Sequence, residues 1–260
     1  MVVEEKGIPM KKTIASLLTA CLLLPACATN VPRKMEDSAV LIKVKVHQDP
    51  ISKKASKKAP IKKDVDGDDD NDNSESIDVI HLDTDANKGK DGWGICSGVY
   101  IKSNIVLSAA HCVDVPENVH IKEIWIRKGS EADKAVIVKI DKQADLVLLY
   151  TPLQGNPVKF AWSVSRGEDC WVIGNPLGLP NIVTKGIVSQ VNFTWAKQKA
   201  TFIIVDASTL PGNSGGPVLN SHGHLIGILT RSTSMFGEMG AVGLGFAVDL
   251  GTIREFLKSN

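Results

Sequence analysis

The chain has 260 residues, of which 30 are Lys or Arg and 29 are Asp or Glu, so its net charge near pH 7 is +1. This length accommodates one substantial folded domain with appendages. The balanced charge gives no reason to expect nucleic acid as a partner, because such a surface needs an excess of basic residues.

Residues 1–27 are typical of an export signal. The basic pair Lys11-Lys12 precedes an apolar stretch over 13–24, which is too short to span a membrane as a helix. The segment Leu24-Pro25-Ala26-Cys27 resembles the acceptor site of bacterial lipoproteins. We therefore expect lipidation of Cys27 and a lipid anchor in a bacterial membrane, facing the periplasm or the cell surface. Cys21 is a second candidate acceptor, and an ordinary cleaved signal peptide is the alternative.

A tether over 28–37 and the first strand of the folded domain over 38–48 are expected next. The insert over 49–91 is of low complexity, with lysine pairs in its first half and an acidic run over 64–72. Such a composition cannot bury a core, so we expect disorder. An EF-hand calcium loop is a less favoured alternative, because Asp69 stands at the sixth position, where that loop needs Gly.

The remaining residues, 92–260, predict an all-β domain. Short runs rich in Val and Ile alternate with turn-forming residues, and a short helix is expected over Thr252–Lys258. The expected strands include Val136–Ile140, Asp145–Tyr150, Ile182–Val191, Thr201–Val205 and Leu225–Leu229.

Ser214 lies in the segment Gly212-Asn213-Ser214-Gly215-Gly216-Pro217. Glycines on both sides allow backbone angles closed to other residues and bring N–H groups close to a reacting oxygen. On its own the segment fits an ordinary turn, and it also fits the nucleophile elbow of α/β-hydrolases.

A serine nucleophile needs a base, and the base needs an orienting acid. His111 follows the apolar run Ile105–Ala110, and Asp145 opens the run Leu146–Tyr150. Asp141 and Asp133 are rival candidates for the acid. His222 and His224 flank Gly223 between two apolar runs, which favours a solvated hairpin tip over a metal-binding pair.

The candidates occur in the order His111, Asp145, Ser214, whereas α/β-hydrolases run Ser, Asp, His. The blocks Leu107–Cys112, Asp145–Leu149 and Pro211–Pro217 resemble the signature blocks of trypsin-like serine proteases. Among these, Val172–Gly178 is similar to a segment of the bacterial HtrA/Deg-like branch, although PDZ domains, usual in that branch, are not recognised in this chain.

The resemblance implies two packed six-stranded antiparallel barrels with the active site between them. His111 would be the base, Asp145 its orienting acid and Ser214 the nucleophile, and the N–H groups of Gly212 and Ser214 would form the oxyanion hole. The resemblance also implies a disulfide between Cys96 and Cys112, which would leave Cys170 as a buried free thiol. Zymogen-activated members carry Asp before the nucleophile, where it pairs with a newly cut N-terminal amine. Position 213 is Asn here, so the resemblance implies that activity does not depend on that cleavage.

Substrate preference is inferred by the same resemblance. Ser208 falls at the base of the primary pocket, where an aspartate would select Lys or Arg. Leu229 stands where glutamyl endopeptidases of this superfamily place a histidine. The remaining expectation is an uncharged, small to medium apolar residue before the cleaved bond.

The function expected from the sequence is a serine endopeptidase acting on unfolded or exposed protein segments through an acyl-enzyme. No metal or other cofactor is expected, because the sequence contains no recognisable metal-ligand cluster or dinucleotide fingerprint. The alternative is a non-catalytic lipoprotein that uses a protease fold for binding or chaperoning, and an esterase is a weaker one.

Overall fold

The computed structural model describes residues 37–49, 81–82, 90–195, 199–232 and 243–259. The export signal with Cys21 and Cys27, nearly all of the tether and the acidic run over 64–72 lie outside these residues, so the expectations about them remain predictions. No helix among the described residues is long and apolar enough to cross a membrane.

The first barrel is built from six antiparallel strands with a seventh added outside. Around the sheet the order is β1-β5-β6-β7-β4-β3, and pairing of β1 with β3 closes it. The two-residue β2 pairs with the start of β3. The strands are β1 (Ala39–Gln48), β2 (His81–Leu82), β3 (Lys90–Lys102), β4 (Ile105–Ser108), β5 (Val119–Lys128), β6 (Glu131–Asp141) and β7 (Leu146–Tyr150).

The insert ends earlier than the boundary expected at residue 91. Both β2 and the first residues of β3 fall inside the range for which we expected disorder. The backbone of β3 pairs with β1 from Lys90 onward, and the Asp91 carboxylate lies 2.7 Å from the His47 ring and 2.9 Å from Lys122 Nζ. These bonds lower the pKa of Asp91 to about 2. Composition alone placed the end of the insert at residue 91. The pairing of β3 with β1 instead brings the chain into the sheet from Lys90 onward.

The second barrel closes in the order β10-β13-β12-β11-β8-β9. Two six-stranded antiparallel barrels were expected, and both are present. The strands are β8 (Asp169–Gly174), β9 (Ile182–Thr194), β10 (Thr201–Asp206), β11 (Pro217–Asn220), β12 (Leu225–Ser232) and β13 (Leu244–Asp249).

A single α-helix, α1 (Leu250–Lys258), follows the last strand among the described residues. It begins two residues before the predicted Thr252. The Asp249 side chain accepts a hydrogen bond from Thr252 N–H and so satisfies one of the unpaired amides of the first turn.

Each barrel has its own apolar interior, and a third cluster joins the two barrels. Leu107 and Leu146 from the first barrel share this cluster with Trp171 and Phe202 from the second. Leu107 directly precedes the end of β4 and Leu146 begins β7, and these neighbouring strands pair through Ser108 and Val147. The ends of β4 and β7 that carry the candidate His and Asp are thus held against the second barrel.

Candidate active site

His111 and Asp145 are brought together by the pairing of β4 with β7. His111 lies in a short 3₁₀ turn, Ala110–Cys112, after β4, and Asp145 directly precedes β7. The carboxylate makes two hydrogen bonds to His111: Oδ1 accepts from the backbone N–H at 2.9 Å, and Oδ2 lies 2.8 Å from ring Nδ1. Since an ionised carboxylate can only accept, the Nδ1 proton faces Asp145 and Nε2 is left as the basic nitrogen.

The two rival carboxylates have other partners. Asp141 caps the turn after β6 by accepting from the backbone N–H groups of Gln143 and Ala144, and Asp133 accepts from Lys134 N–H. Asp145 itself adopts a left-handed backbone angle, φ 53°. A non-glycine residue rarely holds this conformation unless its surroundings enforce it, and such strain is concentrated at functional sites.

Ser214 lies on the loop between β10 and β11, which we call the nucleophile loop (residues 207–216). The serine is 5% exposed, and its Oγ donates to the carbonyl oxygen of Thr230 at 3.3 Å. Its own carbonyl oxygen accepts from Ser97 N–H at 2.8 Å and lies 3.9 Å from Cys112 Sγ. The nucleophile candidate of the second barrel is therefore bonded to the first barrel, beside the turn that carries His111.

Two glycines of this loop stand where no other residue would fit. Gly212 and Gly215 have φ angles of 97° and 79°. A Cβ on Gly212 would lie 2.5 Å from the Asn175 carbonyl oxygen, and one on Gly215 would lie 2.0 Å from Ser108 Oγ. The loop needs glycine both for its backbone angles and for its close approach to neighbouring segments.

Hydrogen bonds also fix the peptides that carry the two expected oxyanion donors. The Pro211 carbonyl accepts from Leu177 N–H at 2.9 Å, and the Asn213 carbonyl accepts from Gly216 N–H at 2.9 Å. Because the C=O and N–H of a trans peptide point in opposite directions, these bonds direct the N–H groups of Gly212 and Ser214 away from those partners. Both donor orientations are thus set by the fold in advance of any substrate.

The expected disulfide between Cys96 and Cys112 is present and joins β3 to the turn that carries His111. Cys96, His111 and Cys112 also form a cluster of three potential metal ligands among the described residues. Since the two sulfur atoms are bonded to each other, the cluster does not offer thiolates to a metal ion.

The expectations for Cys170 and for the two histidines at 222 and 224 agree with the structure. Cys170 is free and buried, and burial raises the pKa of its thiol to about 12. His222 and His224 lie at the β11–β12 turn, as expected for a hairpin tip, and their backbone N–H groups both donate to Asn220 Oδ1.

The two residues expected in the substrate pocket differ in exposure. Leu229 is buried, whereas Ser208 is exposed and its carbonyl accepts from Thr184 Oγ1. A Cβ on Gly245 would lie 2.9 Å from Leu229 Cδ1 and 3.0 Å from Thr209 Cγ2, so these side chains flank Gly245. The hydroxyl of Thr209 is buried and has no hydrogen-bond partner among the described residues.

The sequence reasoning missed several polar residues around the nucleophile loop. Ser97 and Asn175 are fully buried and bonded to each other, Thr209 lies within the loop, and Thr230 lies on β12, where its carbonyl accepts from Ser214 Oγ. Ser97 and Asn175 gave no sign of a role in the sequence, because their hydrogen-bond partners are distant along the chain.

Comparison with known proteins identifies the family. The family model of the trypsin-like peptidase domain matches residues 96–228, just over half of the chain. The chain belongs to the trypsin-like peptidase family. The matched range includes His111, Asp145 and Ser214.

Relatives of this trypsin-like peptidase include HtrA-type proteases. The chain is 34% identical to the periplasmic pH-dependent serine endoprotease DegQ of Escherichia coli over 163 residues, 60% of this chain and 34% of DegQ. It is 35% identical to chloroplastic protease Do-like 5 of Arabidopsis thaliana over 136 residues, 48% of this chain and 42% of that protein. The chain thus spans roughly two fifths or less of the length of these relatives.

The solved structures show the same fold. The HtrA-type protease AlgW with a decapeptide superposes with a TM-score of 0.62 at 21% identity, covering 88% of this chain and 66% of the AlgW chain.

We expect removal of the disulfide to destabilise this trypsin-like peptidase strongly. In the chain-entropy model, closing a loop of this length stabilises the fold by roughly 3 kcal/mol. The double variant Cys96→Ala/Cys112→Ala should therefore lose about that much free energy of unfolding, measured by urea denaturation. The matched control is Cys170→Ala, which removes a buried sulfur without a bridge and should cost about 1 kcal/mol. Equal unfolding midpoints for the two variants would contradict the expectation.

Proposed function

We propose that the chain is a serine endopeptidase in which His111, Asp145 and Ser214 hydrolyse peptide bonds. The observation that carries the proposal is the paired hydrogen bonding of Asp145 to His111, next to a glycine-rich loop that holds Ser214 against the same barrel. Relatives named as serine endoproteases, among them DegQ, support the same reaction class.

In the proposed mechanism, His111 Nε2 removes the Ser214 hydroxyl proton as Oγ attacks the peptide carbonyl carbon. Asp145 keeps the ring in the tautomer with its proton on Nδ1 and stabilises the imidazolium that forms. The N–H groups of Gly212 and Ser214 bind the oxyanion, and each such donor stabilises the transition state by about 3 kcal/mol. His111 then protonates the leaving amine, and water, activated by the same ring, releases the acid from the acyl-enzyme.

The triad assignment predicts how single substitutions change the hydrolysis of casein. Ser214→Ala should lower kcat by roughly 10⁴-fold or more, because no nucleophile remains. Asp145→Asn should lower kcat by about 10⁴-fold, because the amide favours the wrong tautomer of His111. The measurement is release of labelled peptides from the purified protein.

Asp141→Asn is the matched control, because it makes the same chemical change one short turn earlier in the chain. It should alter kcat by no more than about threefold, because the amide oxygen of Asn can still accept the two hydrogen bonds that cap the turn. No Ser214-dependent cleavage by the wild type would reject the protease and leave the non-catalytic binding protein as the better account. Equal losses for the two Asn variants would reject Asp145 as the orienting acid.

We propose substrates with an uncharged, small to medium apolar residue before the cleaved bond. The side chains that approach Gly245 are Leu229, Thr209 and Val205, none of them charged, and Ser208 next to Thr209 in the chain is uncharged as well. Unfolded or exposed protein segments fit this preference, because such residues are buried in folded proteins.

The specificity proposal is tested with a peptide library. The wild type should cleave poorly after Lys, Arg and Glu, and Ser208→Asp should raise cleavage after Lys and Arg by about tenfold, since a hydrogen bond to a charged group contributes about 1.5–3 kcal/mol. Ser208→Asn is the isosteric uncharged control. The same gain in both variants, or in neither, would remove Ser208 from the pocket.

We propose that the protein is exported and held at a bacterial membrane by a lipid on Cys27. The export signal and the periplasmic relative DegQ support this location. In a fractionated Gram-negative host, Cys27→Ala should move the protein out of the membrane fraction, whereas Cys21→Ala should not. The reverse result would assign the acceptor to Cys21, and no change in either variant would reject the anchor.

A further inference from the structure

Ser97 occupies an unusual position between the two barrels. It lies on β3 next to the disulfide residue Cys96, and its side chain is fully buried. Its hydroxyl donates to the Gly212 carbonyl oxygen at 2.7 Å, and its backbone N–H donates to the Ser214 carbonyl oxygen at 2.8 Å. One residue of the first barrel therefore binds the nucleophile loop at two points, on either side of Asn213.

Asn175 fixes the direction of the Ser97 hydroxyl. Its backbone N–H and its side-chain Nδ2 both donate to Ser97 Oγ at 2.9 Å. A hydroxyl has two lone pairs and one proton, so two incoming donors leave the proton for the Gly212 carbonyl. Asn175 is held in turn, since Nδ2 also reaches the Val40 carbonyl and Oδ1 accepts from Asn181 N–H.

The peptide bound by Ser97 lies between the two proposed oxyanion donors. Leu177 N–H fixes the preceding peptide, 211–212, through the Pro211 carbonyl, and Gly216 N–H fixes the following one, 213–214. The central peptide, 212–213, is bound at its carbonyl by the Ser97 hydroxyl, and its N–H donates to the Leu210 carbonyl at 3.0 Å within the loop itself, so Ser97 supplies its link to the first barrel. Gly212 has no Cβ, so its backbone dihedral angles are less restricted than those of other residues. The hydrogen bond from the Ser97 hydroxyl restricts them where side-chain packing cannot.

We propose that Ser97 is a positioning residue for the oxyanion hole, which sets the angle between the N–H groups of Gly212 and Ser214 through the peptide that joins them. This inference rests on the proposed protease function. Ser97 does not touch the substrate or the reacting atoms, and it acts through the loop.

The test compares Ser97→Ala with Tyr100→Phe in the full chain. Tyr100 is the matched control, because it is equally buried on the same strand and its hydroxyl also donates to a backbone carbonyl, that of Leu153 at 3.0 Å, outside the nucleophile loop. With a peptide substrate, Ser97→Ala should lower kcat by about 10²-fold, as expected for loss of one oxyanion donor, while KM changes by no more than about threefold. Tyr100→Phe should keep kcat within about tenfold of the wild type.

A second measurement does not depend on activity. Amide hydrogen exchange over 210–217 should accelerate in Ser97→Ala but not in Tyr100→Phe, because only the first variant removes a hydrogen bond to the loop. Equal kcat values for the two variants, a loss confined to KM, or unchanged exchange over 210–217 would overturn the role of Ser97. A wild type without Ser214-dependent cleavage would instead reject the protease function, and the exchange comparison would still decide whether Ser97 positions the loop.

Discussion

The site depends on the contact that Ser97 makes across the two barrels, in which its N–H donates to the Ser214 carbonyl oxygen at 2.8 Å and its hydroxyl to the Gly212 carbonyl oxygen at 2.7 Å. The first barrel supplies His111 and Asp145, whereas Ser214 belongs to the second. Neither barrel alone contains the three groups, so the proposed proton transfer requires their relative placement to be fixed to within a fraction of an ångström. The shared apolar cluster brings the barrels together, and this polar contact sets where the nucleophile loop lies.

The disulfide fixes the position of the turn that carries His111, the proposed base. Cys96 is the neighbour of Ser97 and Cys112 is the neighbour of His111, so one covalent bond connects the strand that holds the nucleophile loop with the turn that holds the imidazole. Cys112 Sγ also lies 3.9 Å from the Ser214 carbonyl oxygen. The segments that carry the proposed nucleophile and base are thus held together without bonds to His111 Nε2 from the disulfide itself.

Much of this was predictable from the sequence, because the informative signals are local. Short runs rich in Val and Ile between turn-forming residues predicted the strands, and the glycines around Ser214 predicted a tight loop. The order of the three candidates was read directly from the sequence, and the disulfide followed from the resemblance. Ser97 and Asn175 could not be found in this way, since they are 78 residues apart and meet only after the barrels pack. The end of the insert was missed for a related reason: pairing with β1, not composition, brings Lys90 and Asp91 into the sheet.

The central claim is that Ser214 is a nucleophile activated by His111. Its most direct test is peptide mapping by mass spectrometry after treatment with a fluorophosphonate, which labels activated serines. The account predicts an adduct on Ser214 alone, absent from His111→Ala and from unfolded protein. An adduct on another residue, or an unmodified Ser214 in a folded sample that cleaves casein, would contradict it.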